Sequence, residues 1–338
     1  MPRLNIPPSV SILGHNRTDA PPRRRMWHIP YCHAMNQTVL TIRTPQDFDF
    51  TTTLYSHGWC TLPPFSVNAT ARTLERVISL PSGKLALCAV SERSDSLRTV
   101  TFSSSPLSPS ERSAVRRAVS RCFRLSDDLS SFHHSIASDP AYGWIAQRRA
   151  GRLLRSPTVF EDLVKMICTT NCSWALTTAM VRNLCNSLGR SFGGVHRAFP
   201  SPAAIAASSE AYLRARVKAG YRASYLLELA RSVDSGRIDP EQWLDPSIPA
   251  SDVYAHLRRI KGVGDYAAGN MLKLLGRYEY LGLDSWVRAQ YARLHHGGRR
   301  VKDSTIAKRY LSFGEWRGLL FWLEMTREWY DSKFPLVE

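Results

Sequence analysis

The chain has 338 residues, enough for two domains of ordinary size, and its 43% hydrophobic and 22% charged residues are those of a globular protein. No apolar run approaches the roughly 18 residues a membrane helix needs, so a membrane is excluded as the expected partner. The 45 Lys and Arg against 28 Asp and Glu leave a net charge of +17, which favours a polyanion and makes nucleic acid the first candidate.

Residues 1–35 hold five Arg and one acid, Asp19, with a basic knot at Pro21, Pro22, Arg23, Arg24 and Arg25 and no hydrophobic period. They read as a disordered basic tail. An organelle-targeting peptide and a start at Met26 or Met35 are both compatible with that composition. Residues 36–105 read as a small antiparallel α+β domain. Segments 38–43, 85–90 and 97–102 are β-branched or alternating and are separated by turns such as Ser82-Gly83.

From residue 106 to the end the period is helical, so an all-helical domain is expected over 106–338. Thr158 with Glu161 predicts a capping box, and Phe160, Leu163, Val164 and Ile167 follow at helical spacing. Val181, Leu184, Cys185 and Leu188 repeat the pattern before Gly189 stops it. Leu226, Leu229, Ala230 and Val233 form another stripe, and Trp316, Leu319, Leu320 and Leu323 the last. Trp174 reads as a core residue. The seven cysteines are scattered, with no C-x-x-C pair, which argues against a disulfide framework and fits a reducing intracellular compartment. Cys168 and Cys172 read as ordinary thiols, because no second ligand pair completes a metal site. His295 and His296 lack a third ligand and read as part of a basic loop.

The most informative stretch runs from Ser251 to Asp284. Ser251 is expected to cap a helix carrying Val253, Leu257 and Ile260 on one face. Lys261, Gly262, Val263, Gly264 and Asp265 then make a tight turn into a second helix, with Ala268, Met271, Leu272 and Leu275 inward. The glycines allow positive φ, Val263 plugs the turn into the core, and the new helix offers free N–H groups and a positive dipole end to a phosphate. A plain helical hairpin would have the same helices, but the two glycines and Lys261 favour a grip on the DNA backbone. Asp284 stands eight residues past Gly276, at a loop-to-helix junction. It is suited to capping, and equally to stabilising an oxocarbenium-like sugar and orienting water.

At these residues the sequence resembles the helix-hairpin-helix (HhH-GPD) superfamily of DNA glycosylases. Residues 151–155 (GRLLR), 167–173 (ICTTNCS) and 220–223 (GYRA) resemble its 8-oxoguanine branch in order and near spacing, and the N-terminal sheet is one that branch shares with the 3-methyladenine glycosylases. The resemblance implies a small antiparallel α+β domain followed by a helical glycosylase domain, with DNA between helical lobes. It implies that Asp284 is the catalytic carboxylate, Tyr221 the wedge in the duplex, Asn171 the filler of the gap left by the base, and Arg222 a reader of the opposite base. Lys261, Gly262, Val263, Gly264, Tyr266 and Arg288 are expected among the DNA-binding residues. Residues 284–310 carry seven Lys or Arg against two acids, which suits a DNA-facing end.

The implied partner is double-stranded DNA with a damaged base, bound by a monomer. No organic cofactor is expected, and the resemblance allows K+ or Na+ on backbone carbonyls of the hairpin. Three departures from the family pattern sharpen the reading. Tyr266 stands where lyase-active members have a Lys; Lys261 should face phosphate and Lys273, two turns on, should project elsewhere. A monofunctional enzyme using water is therefore expected. Leu176 replaces an Arg that reads cytosine opposite the lesion. The absence of any Cys beyond Cys185 excludes the family's iron–sulfur cluster.

Overall fold

The computed structural model describes residues 35–332, so the tail and targeting expectations for the N-terminus lie outside the described residues. Five strands form one antiparallel sheet: β1 (Asn36–Arg43), β2 (Ser66–Asn68), β3 (Thr73–Ser79), β4 (Leu85–Arg93) and β5 (Ser96–Ser103). Their order is β1-β5-β4-β3-β2, and the short helix α1 (Phe50–Leu54) lies in the β1–β2 connection. The expected strands are β1, β4 and β5.

β3 escapes a pattern reading because a charge interrupts it. Arg76 is buried at mid-strand, where Nη2 meets Glu161 Oε2 at 2.9 Å, and Lys165 Nζ reaches Glu161 Oε1 at 2.7 Å. Flanked by these two cations, the Glu161 carboxyl is held at about 2 despite burial. The capping box expected of Glu161 is therefore only half made. Thr158 Oγ1 accepts from Glu161 N, while the Glu161 carboxylate is taken by Arg76 and Lys165. The complete box is at Ser108 and Glu111, heading α2 (Pro109–Phe123).

The remaining helices are α3 (Ser130–Ile136), α4 (Gly143–Gln147), α5 (Val159–Thr169), α6 (Trp174–Leu188), α7 (Pro202–Ala206), α8 (Glu210–Tyr212), α9 (Arg222–Asp234), α10 (Ala250–Arg259), α11 (Asp265–Leu274), α12 (Ser285–His296), α13 (Asp303–Arg309) and α14 (Arg317–Ser332). A two-residue hairpin pair, β6 (Ser191–Phe192) and β7 (His196–Arg197), follows α6. Gly189 ends α6 with ordinary φ. A Cβ there would sit 2.1 Å from the Ala198 carbonyl oxygen, so glycine is required by the close approach of this hairpin.

Two apolar clusters organise the helices. One joins the sheet through Leu40, Ala86, Cys88 and Val90 to α2, α5, α6, α9, α10 and α11. The other packs α3 and α4 against α12, α13 and α14 through Phe132, Ile145, Tyr291, Ile306 and Leu320. The fold is thus an N-terminal antiparallel sheet followed by a two-lobed helical domain. No helix of the described residues is long and apolar enough to cross a membrane.

Candidate active site and nucleic-acid interface

The hairpin forms as α10, a turn and α11. Ser251 lies inside the first turn of α10, which Pro249 precedes as N-cap, so the expected serine cap is not made. Proline suits that boundary because its fixed φ leads into a helix. Gly262 has φ +88°, and a Cβ on it would enter the Tyr225 ring at 2.5 Å. Gly264 has φ −85° and open space around it, so of the two glycines only Gly262 needs the left-handed region. Val263 is buried as expected. Lys261 is exposed, 3.8 Å from Glu228 and 5.6 Å above the Tyr225 ring.

The carbonyl of Val263 accepts from Arg258 Nη1 at 2.9 Å, and Arg258 Nε meets Asp265 Oδ1 at 2.8 Å. A fixed guanidinium therefore stands against the hairpin's carbonyl, and these residues do not fit a K+ or Na+ ion there.

Asp284 caps α12: Oδ1 accepts from Val287 N at 2.8 Å. It also lines a cleft of about 970 Å³ between the two lobes. Its approach, residues 278–283, is clamped from both sides. On α11, Gly269 meets Gly282 so closely that a Cβ would lie 2.8 Å from the Gly282 Cα. Asn270 Nδ2 donates to the carbonyls of Tyr266 at 2.9 Å and Gly282 at 3.4 Å, and Lys273 Nζ donates to Leu281 O at 2.7 Å. On α14, a Cβ on Gly318 would lie 2.3 Å from Tyr280 O, and Gly318 N donates to Tyr278 O at 2.6 Å. The carboxylate's position is set by these contacts, none of which the sequence pattern singled out.

Lys273 requires a correction. It was expected to project away from Tyr266, yet both line the cleft with Asp284. Seven residues are close to two full turns, so the two side chains share a face of α11. Lys273 is 2% exposed, and burial pushes its ammonium down to about 7, with Asp284 pulling the other way. The Tyr266 phenol is pushed up to about 12 by burial and by the charge of Asp284.

Trp174 was expected in the core, but it is 41% exposed on the cleft wall, with Nε1 donating to Thr61 Oγ1 at 3.1 Å. It starts α6 at the lobe surface, where the apolar face of the helix has not yet turned inward. Trp59, Trp286, Trp322 and Trp329 line the same cleft and were not anticipated, because they come from segments far apart in sequence.

The proposed DNA-distorting residues meet at the α5–α6 turn. Asn171 has φ +48°, and its Nδ2 lies 3.4 Å from the Tyr221 hydroxyl. Tyr221 is 44% exposed and packs edge-on against Tyr225. Arg222 is buried instead: it donates to Thr170 O and stacks its guanidinium 4.5 Å from the centre of the Tyr221 ring. It braces the Asn171–Tyr221 pair, because the αL turn at Asn171 directs the Thr170 carbonyl at it. Arg288 is held bidentately by Asp303 at 2.8 Å on both arms, so its charge is already countered. Leu176 is exposed. The cysteines at 168 and 172 hold no metal cluster among the described residues; Cys172 Sγ contacts Cys168 O at 3.0 Å. His295 contacts Glu324 at 3.1 Å.

Comparison with known families fits this geometry. Residues 164–311 match the model of the HhH-GPD superfamily base excision DNA repair proteins. These residues form an HhH-GPD domain.

A Saccharomyces cerevisiae N-glycosylase/DNA lyase is 27% identical over 170 residues, which are 46% of this chain and 44% of that protein. A probable N-glycosylase/DNA lyase of Methanothermobacter thermautotrophicus is 25% identical over 221 residues, 57% of this chain and 68% of that one. The match to the yeast relative thus spans less than half of that protein's length. Among solved structures, the 3-methyladenine DNA glycosylase of Archaeoglobus fulgidus superposes with a TM-score of 0.69 at 20% identity, covering 86% of this chain and 99% of that one. An 8-oxoguanine glycosylase/lyase of Clostridium acetobutylicum gives 0.63 at 17%, covering 86% and 98%. At these identities the likeness concerns the fold.

Proposed function

We propose that the protein is a DNA glycosylase of base excision repair, which extrudes a damaged purine into the cleft and hydrolyses its N-glycosidic bond. One observation carries this reading: Asp284, fixed at a helix N-terminus beside a phosphate-binding hairpin, lines a cleft whose volume and tryptophan walls suit a nucleobase. The duplex is held through backbone at the hairpin, where the N-terminus of α11 meets phosphate. Tyr221 and Asn171 enter the gap, braced by Arg222. The protein acts as a monomer. Arg258 takes the place of a cation at the hairpin.

The chemistry needs few groups. The C1′–N bond breaks and its electron pair leaves with the base. The ionised Asp284 stabilises the positive sugar, and water adds at C1′, giving up a proton to that carboxylate. The base takes up a proton from solvent, so sugar and base are the only products. No iron–sulfur cluster or organic cofactor takes part.

A second reading has one observation in its favour. With its pKa at about 7, Lys273 is partly a neutral amine in the cleft of Asp284, so it could form an imine with the sugar and support lyase chemistry. The test is an oligonucleotide carrying a substrate lesion. Base release that leaves an intact abasic strand, cut only by alkali, with no borohydride-trapped adduct supports hydrolysis. A trapped adduct lost in Lys273→Met establishes the lyase.

A further inference from the structure

Lys273, Trp322, Ser56 and His57 form one connected group in the cleft. Lys273 Nζ lies 5.3 Å from the centre of the Trp322 ring, Trp322 Nε1 donates to Ser56 O at 3.2 Å, and Ser56 Oγ lies 2.9 Å from His57 Nδ1. The hydrogen bonds fix the histidine tautomer. Ser56 Oγ accepts from Leu154 N at 3.0 Å, which leaves its own proton for Nδ1. The ring proton therefore sits on Nε2, an N–H donor shut away from solvent and without a partner among the described residues. An unpartnered buried donor costs free energy unless something else satisfies it. His57 stacks on Trp59 at 4.8 Å and lines the cleft with Lys273.

The charge around this group has one sign. Burial, and then the positive charges of Lys273, Arg124 and Lys165, push His57 down to about 3, so its ring stays neutral. The same field acts on any base that enters. It repels a purine made cationic by methylation, and it favours a base with carbonyl oxygens at the edge it presents. The effect grows as the bond breaks, because the departing base carries the electron pair.

Resting on the glycosylase reading, we propose that Lys273 and His57 read the extruded base through two N–H donors, selecting oxidised or deaminated bases rich in carbonyl oxygen over cationic methylated purines. The tryptophan walls attract any flat base, and cation–π attraction alone would favour the methylated one. The buried lysine decides against it, because two cations in one water-poor cleft repel each other more strongly than a ring face attracts one.

The experiment measures single-turnover release from duplexes carrying 8-oxoguanine, hypoxanthine or 7-methylguanine, with the wild-type protein, Lys273→Met and His57→Phe. Phenylalanine keeps the stack on Trp59 and removes the donor. The wild type is expected to release the oxo-bases faster. Each variant should lose about ten- to a hundredfold on them, the size of one charge-assisted hydrogen bond, and keep or gain on 7-methylguanine. Preference of the wild type for 7-methylguanine, or equal losses on all three bases in both variants, overturns the assignment and leaves the glycosylase reading intact. Release of no base from any duplex overturns the glycosylase reading itself.

Discussion

Replacing Lys273 by Met should make the protein more stable, most of all in mild acid. On folding, the ammonium's pKa falls from 10.5 to about 7. At 1.36 kcal/mol per pH unit, keeping it charged in the fold costs about 5 kcal/mol. Methionine removes that cost but leaves the Leu281 carbonyl without its donor, a loss of about 1–3 kcal/mol. The variant should therefore be more stable by about 2–4 kcal/mol below pH 7. The sign of the pH dependence follows from the depressed pKa. Between about 7 and 10.5 the unfolded chain binds more protons than the folded one, so wild-type stability rises with pH across that window. The variant's advantage should shrink by about 1.4 kcal/mol per pH unit there, whatever the packing changes add as a constant. Urea unfolding of both proteins at several pH values reads the difference directly. A variant that is less stable throughout, or whose advantage does not change between neutral and alkaline pH, would refute the claim that Lys273 is buried at a cost.

Gly262→Val should weaken binding to every duplex about equally and lower stability, because it demands φ +88° of a branched residue whose Cβ meets Tyr225, whereas Gly264→Ala should leave duplex affinity within about twofold. Fluorescence anisotropy on unrelated sequences checks both, and a sequence-selective loss would contradict the hairpin's role. With Arg258 against the Val263 carbonyl, DNA affinity should be indifferent to exchanging K+ for tetramethylammonium at constant ionic strength. A clear K+ requirement in the wild type would show that an ion binds after all. Leu176 offers no hydrogen bond to a base edge, so excision rates for one lesion opposite each of the four bases should differ by only about tenfold, and a preference for cytosine of about a thousandfold would contradict this.

The hairpin and Asp284 were legible in the sequence because their signals are local. Two glycines around a valine, and an acid at a loop-to-helix junction, keep their meaning whatever packs on them. Strand β3 was not legible, since its central Arg76 is paid for by Glu161, 85 residues away. The clamp on residues 278–283 was hidden for the same reason: Gly269 and Gly318 look like weak points in helices until the backbone they admit is known. Five tryptophans on one cleft come from separate segments, and no period connects them. Arg222 and Arg288 show the opposite limit. Their residue type suits DNA contact, but burial and Asp303 engage them within the protein. Lys273 was misjudged by geometry alone, because two helical turns return a side chain to the same face.

The most direct test of the account is Asp284→Asn, assayed for single-turnover base release and for affinity to the same lesion duplex. Asparagine keeps an oxygen to cap α12 at Val287 and removes the negative charge. The account predicts release slowed by at least about a hundredfold, with DNA affinity unchanged or raised. A variant that binds normally and releases base at close to the wild-type rate would contradict it.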